Sequence, residues 1–426
     1  MGFRTATAIL VGRAVRVAAR LRGGGSAIPG TIALKIAPTF LEDTISRIPL
    51  GVVAVSGSNG KSTTTNMLAA ILREHGLKVF TNPSGGNLPQ GIASAVLASV
   101  SVTGVLDADI AILEVDEGYG PKITKMLKPT TVLLLNIQID QLNRYHEPDR
   151  VVRMLEQVAG SSTRALILNR DDNHLVDLDK RLPGTREVTF FGASPELISG
   201  AAHGVASADR FDEGHIDAGA REAEVTVTDV GDLQAVLAID GRDVAVRLPA
   251  RGLHYALDAA GATATAKAIL GDTFRPGLVT AALGGLSTVY GRGELLQVGD
   301  ESIEIIMMKN PASLQLNLDS LQSAPEQVFM AVDEGTPDPS WIYDIDLSNL
   351  DHIDVITGSK AWQFATRFGY ADIPVGTVDL DVREALKLFL ALPRPTMGRK
   401  TMILNYEQMM SIRKILGFKE LEGGGQ

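Results

Sequence analysis

The stretch Val55-Ser-Gly-Ser-Asn-Gly-Lys-Ser-Thr-Thr64 ends an apolar, β-branched run (48–56) and opens a run with Met67, Leu68, Ile71 and Leu72 at helical spacing. Strand, glycine-rich loop and helix in that order form the context in which backbone amides can wrap a phosphate group. Gly57 and Gly60 allow the amides to converge on phosphate oxygens, and the helix N-terminus adds its partial positive charge. Lys61 is expected to reach the terminal phosphates, and Ser62 to hold a magnesium ion. The plainer alternative is a glycine turn beside a surface lysine.

Working outward, the alternation of strand and helix continues through 78–81, 108–115, 131–136 and 165–169, which predicts a parallel α/β sheet. From about 200 to 251 the period changes. Segments 224–228 and 244–248 alternate like antiparallel strands around Asp240-Gly241, predicting a small antiparallel β insertion. Helical patterns return at 254–270 and 275–283, and Tyr290-Gly-Arg-Gly293 reads as a joint. Strand-like runs at 303–308, 327–332, 352–357 and 401–405 then predict a smaller, Rossmann-like α/β domain. The expected organisation is a basic helical segment (1–48), a central domain (49–292) and a C-terminal domain (293–426).

A chain of 426 residues is too long for one ordinary core, which fits that division. Its 45% hydrophobic and 21% charged residues describe an ordered globular protein. The net charge of -10 argues against a nucleic-acid partner, which needs a basic field. The absence of cysteine removes disulfides, zinc–thiolate sites and any cysteine nucleophile from this chain. No apolar run approaches the length of a membrane span, and Arg13 interrupts the run at Ile9 to Val11, so neither a span nor a secretory signal is expected. The expectation is a cytoplasmic protein. Arg13, Arg16 and Arg20 share one helical face, predicting either a solvated basic helix or peripheral attraction to anionic lipid headgroups.

The phosphate loop is shorter than the general form: two residues separate Gly57 from Gly60-Lys61-Ser62. That spacing resembles the Mur ligase and folylpolyglutamate synthase superfamily, whose members couple ATP cleavage to carboxylate activation. Further stretches stand in the matching order. In Ala111-Ile-Leu-Glu-Val-Asp-Glu-Gly118, Glu114 matches the superfamily's magnesium-binding glutamate, with Glu117 as the alternative. Asn136-Ile-Gln-Ile-Asp-Gln-Leu-Asn-Arg-Tyr145 is similar to its Asn-x-x-x-Asp-His-x-Asp segment, with Gln141 where the histidine is usual, leaving Asn136 and Asp140 for nucleotide or metal contacts.

Asn169-Arg-Asp-Asp172 resembles a strand-closing turn, and Tyr255 and Asp258 replace asparagines that commonly meet adenine. Arg292 falls where the superfamily's Gly-Arg brings a positive side chain near the phosphates, and Lys309 falls at the start of the last domain's catalytic edge. The implied ATP-binding set is Gly57, Ser58, Asn59, Gly60, Lys61, Ser62, Thr63, Asn136, Asp258, Arg292 and Lys309. Ser62 and Glu114 are the implied magnesium ligands, and Lys61 and Glu114 are implied in catalysis.

Three stretches resemble the MurT family within that superfamily: the short phosphate loop followed by Asn82-Pro-Ser-Gly-Gly-Asn-Leu88, then Lys309-Asn-Pro-Ala312, then Asp338-Pro-Ser-Trp-Ile-Tyr-Asp344. Many members carry a four-cysteine zinc ribbon, whereas this chain has no cysteine, so no zinc is expected. The resemblance implies ATP-dependent amidation of the D-isoglutamate α-carboxylate of lipid II, with ammonia from a GatD-type glutaminase partner.

It also implies that an aspartate of this chain completes the partner's Cys-His pair; Asp338 matches the motif and Asp344 is the alternative. The acidic run 333–346, with Trp341 in its middle, reads otherwise as a solvated turn anchored by a buried ring. Two rival functions are an autonomous amino-acid ligase and an ATP-binding regulator without ligation.

Overall fold

The computed structural model describes residues 2–21, 27–82, 86–138, 148–205, 221–286 and 292–418. The run that enters the phosphate loop becomes β1 (Val52–Ser56), every residue of which is buried. Val52 and Ala54 face one apolar core and Val53 and Val55 face another. A strand buried on both faces needs a continuous apolar run rather than alternation, which is what this segment supplies.

β1 pairs in parallel with β3 (Ile110–Glu114) on one side and β4 (Thr131–Leu134) on the other. The sheet extends through β2 (Val79–Thr81) at one edge and through β5 (Ala165–Asn169), β6 (Glu187–Ala193), β7 (Val225–Val230), β8 (Gln234–Ile239) and β9 (Arg242–Arg247) toward the other. The order is β2-β3-β1-β4-β5-β6-β7-β8-β9.

β7 runs parallel to β6, whereas β7, β8 and β9 pair antiparallel. The antiparallel strands expected near 200–251 are therefore continuous with the main sheet and form its edge. Asp240 and Gly241, with φ of 52° and 71°, turn the β8–β9 hairpin, as two positive φ values in a two-residue loop require.

The chain leaves β1 toward β2 on one side and leaves β4 toward β5 on the other. The carboxyl ends of β1 and β4 thus flank the point where connections diverge, the usual place for a ligand crevice in such sheets. Helices α1 (Phe3–Leu21), α2 (Ile28–Ile36), α3 (Phe40–Ile45), α5 (Pro89–Ser99) and α6 (Gly120–Leu127) cover one face. Helix α4 (Lys61–Glu74) and the helices Leu253–Leu270 and Pro276–Gly284 cover the other.

The N-terminal segment differs from expectation in one respect. Arg13 is turned inward, its Nη2 donating to the Val100 carbonyl and its Nε to that of Leu97 at 3.5 Å, so it caps the last carbonyls of α5 rather than joining a solvated basic face. The glycine-rich break expected at 23–26 lies outside the described residues.

A second sheet has the order β10-β11-β15-β12-β13-β14. Its strands are β10 (Arg292–Val298), β11 (Glu301–Met307), β12 (Val328–Ala331), β13 (Ile353–Thr357), β14 (Val375–Val378) and β15 (Lys400–Leu404). All its pairings are parallel except β10 with β11. Helices Pro311–Asp319 and Ala361–Tyr370 pack on one face, and Val382–Leu390 and Tyr406–Ile415 on the other. Among the described residues no helix is long and apolar enough to cross a membrane.

Candidate active site

The loop after β1 turns through Gly57 (φ 141°) and Gly60 (φ 84°) before entering α4. At Gly60 a Cβ would lie 2.2 Å from Asp258 Oδ1, so both the backbone angle and the space demand glycine. The first amides of α4 have no carbonyl one turn earlier to bond, leaving an N-terminus suited to an anion.

Lys61 is buried and folded back over this loop. Its Nζ donates to Glu117 Oε2 at 3.0 Å, to the Ser58 carbonyl at 3.1 Å, and to the Gly57 carbonyl. Glu117, expected only as an alternative metal ligand, is therefore the counter-ion of the loop lysine. It keeps the positive charge in a poorly solvated place where an unpaired ammonium would be costly.

Ser62 and Glu114 meet directly, Ser62 Oγ donating to Glu114 Oε2 at 2.6 Å. Both are buried. Glu114 is oriented from the side by asparagines. Asn82 closes a two-bond bracket on its backbone, accepting from the Glu114 N–H at 2.9 Å and donating to its carbonyl at 3.0 Å. Asn87 Nδ2 donates to Glu114 Oε1 at 3.2 Å. A hydroxyl and a carboxylate side by side form an all-oxygen donor set, the kind magnesium takes with phosphate and water completing its shell. The residues thus fit that ion. Among the described residues no cluster of three or more His, Asp or Glu is arranged to hold a metal unaided.

The end of β4 closes the other wall. Asn136 Oδ1 accepts from the Asn59 N–H at 2.9 Å, its Nδ2 donates to the Asn59 carbonyl at 3.2 Å, and the Ser58 N–H donates to the Asn136 carbonyl. This segment is itself fixed by the buried turn after β5. Asn169 Nδ2 donates to the Leu135 carbonyl at 2.9 Å, and Asp172 Oδ2 accepts from the Ile137 N–H at 2.7 Å. Burial pushes the carboxyls of Asp171 and Asp172 up to about 6, with accepted backbone hydrogen bonds opposing the rise.

The second domain supplies the remaining wall. Lys309 Nζ donates to the Ser58 carbonyl at 3.1 Å, and the side-chain amides of Asn310 and Asn59 exchange two hydrogen bonds of 3.2 Å. Asn310 also caps the helix Pro311–Asp319, its Oδ1 accepting from the Ser313 N–H in a capping box. A cleft between the domains is lined by Asn59, Gly60, Thr63, Tyr255, Asp258 and Lys309. Beside it His203 Nδ1 lies 2.9 Å from Asp319 and its Nε2 3.6 Å from Asp346, a further tie between the domains.

Of the residues expected from the sequence, the structure brings together Gly57 to Thr63, Glu114, Asn136, Asp258 and Lys309. Asp140 and Gln141 lie outside the described residues, as does the side chain of Arg292. Asn82, Asn87 and Asn310, which the sequence offers only as parts of longer stretches, gain these roles in the fold, as does Gln138, whose Oε1 accepts from Asn59 Nδ2 at 2.6 Å. Asn310 adjoins the expected Lys309 and precedes a proline at the first position of a helix, a signature that marks it as a cap.

Asp338 and Asp344 are not at this site. They sit on the loop after β12, and the five carboxylates of 333–346 divide by their partners. Asp333 accepts from Asn405 Nδ2 at 2.9 Å and Gln408 Nε2 at 3.0 Å, Glu334 pairs with Lys360 at 3.1 Å, and Asp346 approaches His203.

Asp338 is exposed and, among the described residues, bonds only to Ser340 two residues on, at 3.0 Å from its N–H; these Ser340 contacts hold its carboxyl below the usual range. Asp344 is exposed and has no hydrogen-bond partner among the described residues. The anchor of the loop is chiefly Ile342, 1% exposed, rather than Trp341. Trp341 is half-buried and meets Phe364 edge-on at 6.3 Å. Arg367 clamps the turn Ser340–Asp344 by donating to the carbonyls of Ile342 and Ile345, both at 3.1 Å.

Two family models match the chain: the Mur ligase middle domain over residues 55–266 and the MurT ligase C-terminal domain over 307–409. Among solved structures the fold is shared with MurF from Acinetobacter baumannii, at a TM-score of 0.68 and 18% identity over 91% of this chain and 79% of that one. It is also shared with Mycobacterium tuberculosis folylpolyglutamate synthase, solved with ADP and AMPPCP, at a TM-score of 0.62 and 15% identity over 91% and 94%. The chain belongs to the Mur ligase family and is a ligase of it.

Within that family it has relatives of the MurT kind. It is 24% identical, over 99% of both chains, to the MurT subunit of the glutamine-hydrolysing lipid II isoglutaminyl synthase of Streptococcus pneumoniae.

Proposed function

We propose that this protein is the ligase subunit of a glutamine-dependent amidotransferase that converts the D-isoglutamate α-carboxylate of lipid II to D-isoglutamine. The observation that carries the reading is the pairing of two features on one chain. One is a phosphate loop closed by Lys309 and Asn310; the other is an ionised aspartate, Asp338, held outward without a cationic partner among the described residues.

The chemistry follows from the substrate. A carboxylate does not react with ammonia, because oxide is not a leaving group. A carboxylate oxygen of the substrate attacks the γ-phosphorus of ATP, the bond to the β-γ bridging oxygen breaks, and ADP departs. The acyl phosphate that results has a good leaving group. Ammonia then attacks the acyl carbon, the carbon–oxygen bond to phosphate breaks, inorganic phosphate leaves, and the nitrogen loses a proton.

Lys61 and Lys309 offer positive charge to the phosphates, Lys61 exchanging Glu117 and the loop carbonyls for phosphoryl oxygens as the nucleotide enters. When bound at Ser62 and Glu114, magnesium supplies charge neutralisation on the same oxygens. Asp258 and Tyr255 border the cleft that would take the base, where a carboxylate can accept from an exocyclic amine.

Release of ammonia from glutamine needs a nucleophile such as cysteine, and the chain has none. A GatD-type glutaminase is the proposed partner, with Asp338 (Asp344 as the alternative) orienting the partner's histidine and stabilising its charged form, as the third member of a triad does. Because lipid II is membrane-held, the reading puts the enzyme in the cytoplasm against the inner membrane face.

The test is reconstitution of the full chain with a co-expressed glutaminase, lipid II, ATP and magnesium. Glutamine should drive formation of amidated lipid II with matching release of ADP, and omission of the glutaminase should abolish turnover unless ammonium is added. Consumption of ATP with a free amino acid in place of ammonia would mark an autonomous ligase instead.

A further inference from the structure

Helix α1 packs on the first domain through Thr5, Ala8, Ile9 and Gly12, all buried. Gly12 lies so close to α5 that a Cβ would come within 2.7 Å of Leu97 Cδ1. The opposite face is apolar and open. Phe3 is 89% exposed, Leu10 63% and Val17 61%, with Ala14 and Ala18 exposed among them and Val11 on the flank. Residues seven apart lie on one line of a helix, so Phe3, Leu10 and Val17 form a ridge about 21 Å long. Exposed apolar side chains scattered singly need no explanation, but three in register on a helix that no element covers among the described residues do.

Charge identifies the occupant. Residues 1–41 contain six basic side chains, of which Arg13 is turned inward, and no acidic one, in a chain whose net charge is -10. Asp43, the acidic group that meets α1 from α3, is engaged by the hydroxyls of Thr5 and Thr39. Arg4 borders the ridge and is exposed, and Lys35 is exposed on α2. The turn after α5, next to the carbonyl capped by Arg13, also presents Val102, 61% exposed.

A second copy of the chain is a poor fit. A ridge of this length and one helix wide offers about 200 Å², well below the roughly 800 Å² per partner that a stable dimer buries. An interfacial helix, with an apolar ridge in the acyl boundary and basic side chains among anionic headgroups, fits both observations.

We propose that the outward face of α1 is a membrane-docking surface that seats the ligase on an anionic lipid bilayer. Basic residues provide long-range attraction, and Phe3, Leu10 and Val17 provide the shallow insertion that holds it. This inference rests on α1 and the charge of the segment around it, and not on the amidation reading.

The full-length chain is sedimented with vesicles of phosphatidylglycerol and phosphatidylcholine, and in parallel with phosphatidylcholine alone. The expected result is binding to the anionic vesicles, weakened by salt, and reduced roughly tenfold or more in the Leu10→Glu/Val17→Glu variant with unchanged circular dichroism and Tm. Leu380→Glu, at an exposed leucine of the second domain, should bind as the parent does. Parent protein that stays in the supernatant with both vesicles overturns the proposal. So does equal binding by the doubly charged variant, or a monomer–dimer equilibrium that this variant abolishes in the absence of any vesicle binding.

Discussion

The loop 57–62 and the loop 333–346 both set charged side chains beside tight turns, yet they manage that charge in opposite ways. In the first, Lys61, Ser62, Glu114 and Glu117 are buried and each answers another: ammonium to carboxylate at 3.0 Å, hydroxyl to carboxylate at 2.6 Å. In the second, three carboxylates have partners within the fold and two, Asp338 and Asp344, are exposed with no cationic partner among the described residues. A pre-paired buried cluster suits a charged ligand that exchanges with the internal partners. An ionised aspartate without a cationic partner suits a charge on another molecule. The first loop is read as the place of phosphoryl transfer, and the second as a contribution to someone else's active site.

The largest effect should come from the first loop. Lys61→Ala should lower amidation by about 10³- to 10⁵-fold with either glutamine or ammonium, since phosphoryl transfer precedes both. Steady-state rates with the two nitrogen sources measure this, and a loss confined to glutamine would put Lys61 in the wrong half of the comparison. Asp338→Asn should come next, costing roughly 10² to 10⁴-fold with glutamine alone.

A smaller effect separates bridging from capping at Asn310. Serine can cap the helix Pro311–Asp319 but cannot exchange amide bonds with Asn59, so Asn310→Ser should raise the KM for ATP by about tenfold with little change in Tm. A fall in Tm with unchanged KM would show that the cap is all that matters.

The last effect is on stability rather than on turnover and concerns the scaffold beneath the first loop. Asp171 is held at about 6 by burial, above the unfolded value near 3.8. An acid whose folded pKa is raised is protonated in the folded state while the unfolded state has already lost its proton. Its penalty is therefore full above pH 6 and fades as the pH falls toward 4. The stability of the parent relative to Asp171→Asn should accordingly rise by ~2 kcal/mol between pH 7 and pH 4. Paired urea titrations across that range check the sign.

The first loop is built from neighbours in sequence, so its glycine spacing, Lys61 and Ser62 can be read directly, and Glu114 follows from its place at a strand end. The partners that complete it could not be read. Asn59 and Asn310 are 251 positions apart, and nothing local distinguishes Glu117 as a counter-ion from Glu117 as a metal ligand.

Arg13 shows the same limit. Helical spacing puts it on a face with Arg16 and Arg20, but the open carbonyls of α5 draw it inward. Strand β14 escaped notice because it is an edge with Gly376 and little burial, whereas β13, with three apolar or β-branched residues buried in succession, did not. In the acidic run, composition alone shows five carboxylates and cannot rank them. The motif resemblance picks out Asp338 with Asp344 as the alternative, and the fold gives the other three partners of their own.

The most direct test of the division between the loops is the ratio of glutamine-dependent to ammonium-dependent amidation in the Asp338→Asn ligase assembled with its glutaminase. If Asp338 completes the partner's triad, this ratio falls at least about a hundredfold while the ammonium rate stays within about twofold of the parent. Equal losses with both nitrogen sources, or an unchanged ratio for Asp338→Asn and Asp344→Asn alike, would contradict it.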